Sequence, residues 1–171
     1  MSEIAVVVLG SNVGDKVAYL RAAVEAIREM GEVIRVSGLY DSEPFGVEDQ
    51  ADFVNAALSV RADLSPRAML HRLKDIERRL GRRPSKRWGA REIDLDIALF
   101  GEMIIDEEDL IVPHSGLDAR DFFLVPIVEI VPDAVNPRTG ENLVEVLDRF
   151  PDDERKIISK NNDDRWRIFT T

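Results

Sequence analysis

The sequence predicts an α+β sandwich in which a largely antiparallel sheet is flanked by helices. Short apolar runs alternate with segments whose apolar residues recur at helical spacing. Hairpin-type turns interrupt this alternation, which favours an antiparallel sheet over a doubly wound parallel one. The length of 171 residues suits one domain. We therefore expect residues 1–171 to form a single domain, with residues 151–171 as a polar C-terminal tail of unassigned role.

The first predicted elements are a buried strand and an amphipathic helix. The apolar run Ile4–Leu9 leads into Gly10–Asn12, which predicts a strand followed by a turn. Asp15 is a suitable N-cap for a helix that stops at Gly31. The composition then predicts strands over residues 33–40 and 53–60, separated by a loop over residues 42–50.

A second helix precedes a basic loop. Ser65 is a suitable N-cap, Pro66 suits the first helical position, and Gly81 marks the end of the helix. Residues 82–90 contain Gly, Pro and several basic side chains, which predicts a loop.

The next strand has the most regular pattern in the chain. Residues 92–100 alternate between apolar and polar side chains, which is typical of a strand with one face in the core. The residues expected on the core face are Ile93, Leu95, Ile97 and Leu99. Gly101–Glu102 then predicts a hairpin turn into a strand over residues 103–105. An apolar run over residues 122–130 and a short last helix over residues 143–147 follow.

Composition and net charge exclude several classes of function. The chain has no cysteine, which excludes a disulfide framework, a zinc ribbon and a thiol nucleophile. No apolar run approaches the ~20 residues of a membrane span, and Met1–Ile4 lacks the basic region of a secretory signal. We therefore expect a cytoplasmic protein without membrane contact. The net charge of −10 argues against a broad surface for nucleic acid.

One basic segment departs from this acidic average. Residues 78–91 contain seven Lys or Arg residues and no Asp or Glu, so the segment carries +7 and the remainder −17. The segment is either a solvated helix end and loop or a site for a polyanionic ligand. Guanidinium groups bind phosphate oxygens in a bidentate manner, which favours the second interpretation. Trp88 lies in this segment, and its ring either stacks on a flat ligand or pins the loop to the core.

Two carboxylates follow this segment on one strand. Asp94 and Asp96 are two residues apart, so their side chains project from the same face. Paired carboxylates repel each other unless a cation or a proton neutralises them. Mg²⁺ typically uses one or two carboxylates together with substrate phosphates. A solvated outer face of an edge strand is the alternative, and the adjacent basic segment favours the metal site.

A few further side chains are candidates for contact with a ligand. Phe53 and Asn55 share a strand face, where a ring and an amide suit a flat heterocycle. Asn55 could instead pair with a nearby loop backbone. Of the two histidines, His71 lies in the second predicted helix and is expected to be structural. His114 and Arg120 follow the Asp-containing hairpin, from where they can contact phosphates.

Taken together, ordered motifs across about residues 4–132 resemble the 6-hydroxymethyl-7,8-dihydropterin pyrophosphokinases of folate biosynthesis. The most specific match is Arg87–Ile97, which reads RWGAREIDLDI. The other matching motifs are Leu9–Asp15, Tyr40–Gly46, Asp52–Ala57, Val112–His114 and Arg120–Pro126.

The resemblance implies a ferredoxin-like fold and transfer of the β,γ-diphosphate of ATP to the hydroxymethyl group of 6-hydroxymethyl-7,8-dihydropterin, releasing AMP. It implies a monomer that binds these two small molecules, and not nucleic acid, with two Mg²⁺ ions held by Asp94 and Asp96. The residues implied as catalytic are Arg82, Arg91, Asp94 and Asp96. The residues implied at ATP are Glu77, Arg82, Arg87, Trp88, Arg91, Ile97, His114 and Arg120. The residues implied at the pterin are Ser42, Glu43, Phe45, Phe53, Asn55, Trp88 and Phe122.

The sequence departs from the family pattern at four positions. Ala90 stands where Pro is common, Phe53 replaces a frequent Tyr, and Ser115–Gly116 replaces bulkier or Pro-containing segments.

Two other functions fit the sequence less well. A polymerase-β-like nucleotidyltransferase pairs Gly-Ser with D-x-D in one short unit, but here 83 residues separate Gly10–Ser11 from Asp94. A ferredoxin-like RNA-binding module stacks bases on sheet aromatics, and the carboxylate pair and the net charge of −10 oppose it.

Overall fold

The computed structural model describes residues 3–46, 49–84 and 89–170, and its largest element is a six-stranded antiparallel sheet. In chain order the strands are β1 (Ile4–Ser11), β2 (Glu32–Val36), β3 (Leu39–Ser42), β4 (Phe53–Arg61), β5 (Asp94–Phe100), β6 (Ile105–Glu107), β7 (Leu110–Val112) and β8 (Ile157–Asn161). The strand order in the six-stranded sheet is β5-β1-β4-β3-β8, and β2 also pairs with β4. The helices are α1 (Lys16–Arg28), α2 (Pro66–Arg79), α3 (Asp121–Ile130), α4 (Leu143–Asp148) and α5 (Arg167–Thr170).

The first two helices begin at the predicted capping residues. The Asp15 carboxylate accepts a hydrogen bond from Ala18 N (3.3 Å), and the Ser65 hydroxyl accepts one from Ala68 N (3.1 Å). These bonds satisfy backbone N–H groups that have no partner inside the helix. Pro66 occupies the first position of α2, where its missing N–H has no cost.

Helices cover both faces of the sheet. On one face α1 and α2 pack against β1, β4 and β5 through a core that includes Leu20, Leu73 and Leu95. On the other face α3 and α4 pack against Val6 and Val8 of β1. The chain order β1-α1-β2/β3-β4-α2-β5 with these antiparallel pairings is the ferredoxin-like arrangement, so the predicted fold class is confirmed. Among the described residues, no helix is long and apolar enough to cross a membrane.

The prediction of one strand over residues 33–40 was wrong, because the chain breaks at Ser37–Gly38. The Ser37 hydroxyl accepts a hydrogen bond from Ala57 N (2.9 Å), in place of a regular ladder bond. Gly38 N donates to the Glu129 carboxylate on α3 (2.9 Å). The break separates β2 from β3, and both strands pair with β4.

The predicted orientation of Leu99 was also wrong. Val6 lies opposite Leu99 and Val7 lies opposite Ile97, so Ala98 is an extra residue in β5. Such a bulge reverses the alternation of side chains beyond it. Leu99 therefore packs with the α3 side of the sheet, whereas Ile97 packs with the α1 and α2 side.

Of the hairpin predicted after β5, the structure contains the turn but not the pairing of the next strand with β5. Met103 N donates to Phe100 O (3.0 Å), and Gly101 has a φ of +54°. The following residues do not return along β5, since β6 pairs with β7 in a separate two-stranded ribbon. Arg67 on α2 forms ion pairs with Glu107 and Asp109, which tie this ribbon to the helix.

The C-terminal segment after residue 150 is folded onto the sheet. The helix predicted over residues 143–147 is observed as α4, but it is not the last element of the chain. Strand β8 pairs with β3, and α5 lies near β2. Trp166 is only 3% exposed, and its Nε1 donates to Ser37 O (2.7 Å). Its ring meets Phe169 edge-on, with 4.8 Å between the ring centroids.

We predict that Trp166→Ala lowers the free energy of unfolding by about 3–5 kcal/mol, because it leaves a cavity and an unpaired Ser37 carbonyl. Urea denaturation followed by circular dichroism measures the change. Ile168→Ala is the matched control, since Ile168 is 63% exposed and its loss should change the stability by less than about 0.5 kcal/mol. Equal stability of the two variants would contradict the conclusion that Trp166 and the C-terminal segment stabilise the folded protein.

Candidate active site

A cavity opens on the α3 side of the sheet, where Gly10 lies between two polar residues of neighbouring strands. Gly10 pairs with Asn55 of β4 on one side and with Asp94 of β5 on the other. Directly opposed residues project from the same face of an antiparallel sheet. A Cβ at Gly10 would lie 3.6 Å from Asn55 Oδ1 and from Phe53 Cδ1. The missing side chain therefore leaves the space between the amide and the carboxylate open.

Asp94 and Asp96 line this cavity together, as the alternation of β5 predicts. Leu95, between them, is buried in the core on the opposite face. Burial raises the pKa of Asp96 to about 8, and repulsion from the Asp94 carboxylate acts in the same direction. Lys74 and Arg120 oppose this rise.

Asp96 lies at the junction of two clefts. The first is the cavity over Gly10. The second lies between α2 and the turn that leads from β6 into β7. Besides Asp96, the second cleft is lined by residues that include Leu70, Lys74, Ile97, Leu110 and His114. A ligand that reaches from one cleft to the other must pass this carboxylate.

A buried glutamate connects α2 to the carboxylate pair. Glu77 accepts a hydrogen bond from Leu95 N (2.7 Å), which fixes α2 against β5. Arg82 Nη1 lies 2.8 Å from Glu77 Oε1 and 3.1 Å from Asp94 Oδ1. Burial raises the pKa of Glu77, and the positive charges of Lys74 and Arg82 lower it. Arg82 thus neutralises part of the negative charge of both carboxylates.

Asn12 joins two sides of the cavity, a role that the sequence analysis missed. Its Oδ1 accepts a hydrogen bond from Arg91 N (2.7 Å), and its backbone N donates to Arg91 O (3.0 Å). Its Nδ2 donates to Gln50 Oε1 (2.9 Å) and Ala51 O (3.0 Å). Because Arg91 and the Gln50–Ala51 segment lie far apart in sequence, their spacing alone could not reveal this clamp.

The other half of the cavity is aromatic and surrounds one amide. Phe45, Phe53 and Phe122 line it, and the ring centroids of Phe45 and Phe122 are 6.0 Å apart. Asn55 is buried, and its Nδ2 donates to Ser42 Oγ (2.7 Å) and Tyr40 O (3.0 Å). Its amide orientation is therefore fixed with Oδ1 on the Gly10 side.

Arg120 lies between the aromatic and acidic halves. Its guanidinium carbon is 4.8 Å from the ring centroid of Phe45 and 5.0 Å from that of Phe123. Burial lowers the pKa of Arg120, and the charges of Asp96 and Asp94 counteract this. Phe123 is a further lining residue that the sequence analysis did not name.

Most of the predicted site residues lie together. The predicted site residues that line the first cavity are Glu43, Phe45, Phe53, Asn55, Arg91, Asp94, Asp96, Arg120 and Phe122. Ile97 and His114 line the second cleft, Arg82 and Glu77 support the carboxylate pair, and Ser42 lies behind Asn55. His71 is exposed on α2. The predicted sites at Arg87 and Trp88 lie outside the described residues.

The donor set near Asp94 suits a hard divalent cation that also binds substrate. In residues 3–46, 49–84 and 89–170, no group of three or more His, Asp and Glu side chains is arranged to hold a metal. Two carboxylate side chains in one cavity match Mg²⁺, which completes its coordination with water and phosphate oxygens.

Sequence comparisons identify a family. Residues 6–132 match the model of 7,8-dihydro-6-hydroxymethylpterin-pyrophosphokinase (HPPK). The 2-amino-4-hydroxy-6-hydroxymethyldihydropteridine pyrophosphokinase of Haemophilus influenzae is 39% identical over 92% of this chain and 98% of that protein. The enzymes of the same name from Bacillus subtilis and Aquifex aeolicus are 44% and 40% identical over 76% and 75% of this chain, and over 79% and 81% of their own lengths.

The fold matches that of a longer solved structure. The Plasmodium falciparum HPPK-DHPS crystal structure superposes with a TM-score of 0.70 at 14% sequence identity. The match covers 87% of this chain and 45% of that chain.

We predict that the cation-free protein loses stability between pH 4 and pH 8 through Asp96. The folded state keeps a proton on this carboxyl up to pH about 8, whereas the unfolded chain releases it near its ordinary value of 3.8. The stability that the Asp96 proton contributes to the folded state is thus fully present below pH 4 and is lost as the pH rises through 8. Asp96→Asn stays neutral, so it should be more stable than the parent at pH 9 by on the order of 2 kcal/mol.

Urea denaturation at pH 5, 7 and 9 in the presence of a chelator measures this difference. Asp63→Asn is the control, because Asp63 is exposed and distant from the carboxylate pair in sequence. The same pH slope in the parent and in Asp96→Asn would contradict the assignment.

Proposed function

The chain belongs to the 7,8-dihydro-6-hydroxymethylpterin-pyrophosphokinase family, whose members are enzymes of folate synthesis, and from this premise we propose the details of its reaction. The enzyme transfers the β,γ-diphosphate of ATP to the hydroxymethyl group of 6-hydroxymethyl-7,8-dihydropterin in a Mg²⁺-dependent reaction. The observation that carries this proposal is the position of Asp96 at the junction of an aromatic cavity and a second cleft.

The second cleft is the proposed site of the nucleotide. Ile97 and Leu70 offer it apolar surface, and Lys74 and His114 offer polar groups. From there the phosphates extend toward Asp94 and Asp96. Because phosphates would meet repulsion from two carboxylates alone, the cations around them decide whether they bind.

Three arginines supply positive charge around the carboxylate pair. Arg91 and Arg120 line the cavity, and Arg82 contacts Asp94 directly. Arginine forks bind phosphate oxygens in a bidentate manner, and in a partly buried site each contact is stronger than in water. Two Mg²⁺ ions held by Asp94 and Asp96 would neutralise phosphate charge and acidify the acceptor hydroxyl when bound.

The aromatic cavity is the proposed site of the pterin. Phe45, Phe53 and Phe122 provide ring surfaces for a flat heterocycle. Both Nδ2 hydrogens of Asn55 are used inside the protein, so its fixed Oδ1 provides a hydrogen-bond acceptor for a donor on the edge of that ring. Glu43 lies at the rim. Since Asn55 and Asp94 flank Gly10, a ring held at Asn55 can direct a substituent toward the carboxylates.

The reaction exchanges one bond at phosphorus. The hydroxymethyl oxygen forms a bond to the β-phosphorus, the bond from that phosphorus to the α,β-bridging oxygen breaks, and AMP leaves with this oxygen. The hydroxyl proton passes to solvent. The protein's contribution is alignment and stabilisation of charge on the transferred group, as is usual for phosphoryl transfer.

We predict that the parent protein forms AMP from ATP only when both Mg²⁺ and 6-hydroxymethyl-7,8-dihydropterin are present. Asp96→Ala should abolish this turnover, because the proposed Mg²⁺ ions, which would hold the phosphates, lose a carboxylate ligand at the cleft junction. Separation of the nucleotides by chromatography measures AMP directly. Asp63→Ala should retain parental activity, which controls for a general loss of acidic charge. Formation of ADP or pyrophosphate by the parent, or turnover by Asp96→Ala, would refute the proposal.

We predict that Asn55→Ala weakens pterin binding and spares ATP binding. The substitution removes the Oδ1 acceptor and leaves the second cleft untouched, so a loss of roughly tenfold in pterin affinity is expected, equal to about 1.4 kcal/mol. Calorimetric titration with each ligand measures both affinities. Equal weakening of both ligands would indicate a folding defect and contradict a pterin-specific role.

A further inference from the structure

The segment from His114 to Arg120 carries one group for each cleft, with Gly116 between them. We propose that Gly116 is a positioning residue for both groups: its N–H holds the His114 imidazole as the Nε2–H tautomer, and its missing Cβ makes room for the Arg120 side chain. The proposal deepens the proposed function and rests on it where activity is concerned. It assigns a purpose to a position at which this chain departs from the family pattern.

The hydrogen bond to His114 determines which ring nitrogen carries a proton. Gly116 N donates to His114 Nδ1 over 2.9 Å. In a neutral imidazole the nitrogen that accepts a hydrogen bond has no proton, so the proton is on Nε2. Burial and the nearby Arg120 lower the pKa of His114 to about 4, so the ring is neutral at pH 7. His114 therefore offers the second cleft an N–H donor and no positive charge.

The missing side chain of Gly116 is required by space and not by the backbone. Gly116 has a φ of −95°, which any residue can adopt. A Cβ there would lie 2.5 Å from Arg120 Nε and 2.9 Å from Arg120 Cζ. Real side chains do not approach so closely, so the flexible Arg120 side chain would have to shift relative to the Phe45 and Phe123 rings.

Two hydrogen bonds anchor the segment and restrain its backbone from moving away from Arg120. His114 N donates to Ala98 O of β5 (3.0 Å). Asp118 accepts a hydrogen bond from Asn136 Nδ2 (3.2 Å), which ties the far side to the loop after α3. The flexible partner in the contact is therefore the Arg120 side chain. Its Nε is buried without a hydrogen-bond partner among the described residues, so no such bond there resists displacement.

The kinetic test compares Gly116→Ala with the parent and with Ala119→Ser, a control at an exposed position of the same segment. We expect Gly116→Ala to lower kcat/KM for ATP at least fivefold and Ala119→Ser to change it less than twofold. In an Arg120→Ala background, adding Gly116→Ala should change kcat/KM less than twofold, because the group on which it acts is gone. An equal loss in both backgrounds, or no loss in the first, would overturn the proposal.

A spectroscopic test does not depend on activity and so separates failure of this inference from failure of the proposed function. The chain has two histidines, and exposed His71 is an internal reference for an unconstrained ring. Side-chain ¹⁵N spectra at pH 7 should show His114 as one tautomer, protonated at Nε2, in the parent and in Gly116→Ala. The Arg120 Hε resonance should carry a ring-current shift in the parent and lose it in Gly116→Ala. A proton on His114 Nδ1, or an unchanged Arg120 resonance, would overturn the proposal even if the protein made no AMP.

Discussion

The antiparallel register at Gly10 is the constraint on which the candidate site depends. It places Asn55, Gly10 and Asp94 in one row across β4, β1 and β5. Slipping the β1–β5 pairing by one residue would exchange the two faces of β5. Asp94 and Asp96 would then enter the α1 and α2 core, and the buried Leu95 would face the cavity. Burial of the core and presentation of the carboxylates are therefore enforced by the same pairing.

Charge in the cavity is balanced locally, although the chain carries −10 overall. Two carboxylates on one face repel each other, and the shift in the Asp96 pKa expresses that repulsion together with burial. Arg82 bridges Asp94 and Glu77, while Arg120 faces the pair from the aromatic side. An acidic body repels anions at long range, so the positive charge at this site comes from the arginines around the carboxylate pair. Of the basic segment, Arg82 contacts Asp94 and Arg91 lines the cavity.

The sequence predicted features with short-range causes and missed those that arise from distant contacts. The capping residues Asp15 and Ser65 and the alternation around Leu95 depend on neighbours in sequence, and they were confirmed. The bulge that reorients Leu99 depends on how β5 meets β1, which periodicity does not encode. The clamp by Asn12 joins segments nearly 40 and 79 residues away, so no local pattern marks it.

The C-terminal segment contributes to the site through the strands that it completes. β8 pairs with β3, whose Tyr40 carbonyl and Ser42 hydroxyl hold the Asn55 amide. At the other side of the aromatic cavity, the buried Asp121 carboxylate accepts hydrogen bonds from Lys156 N and Ile157 N (3.0 Å each). Asp121 precedes Phe122, so the same segment fixes the start of α3 and the ring that it presents. The family match ends at residue 132, yet residues beyond it orient both the amide and the aromatic wall of the cavity. The shape of the aromatic cavity therefore depends on this segment even though it supplies no side chain to the cavity among the described residues.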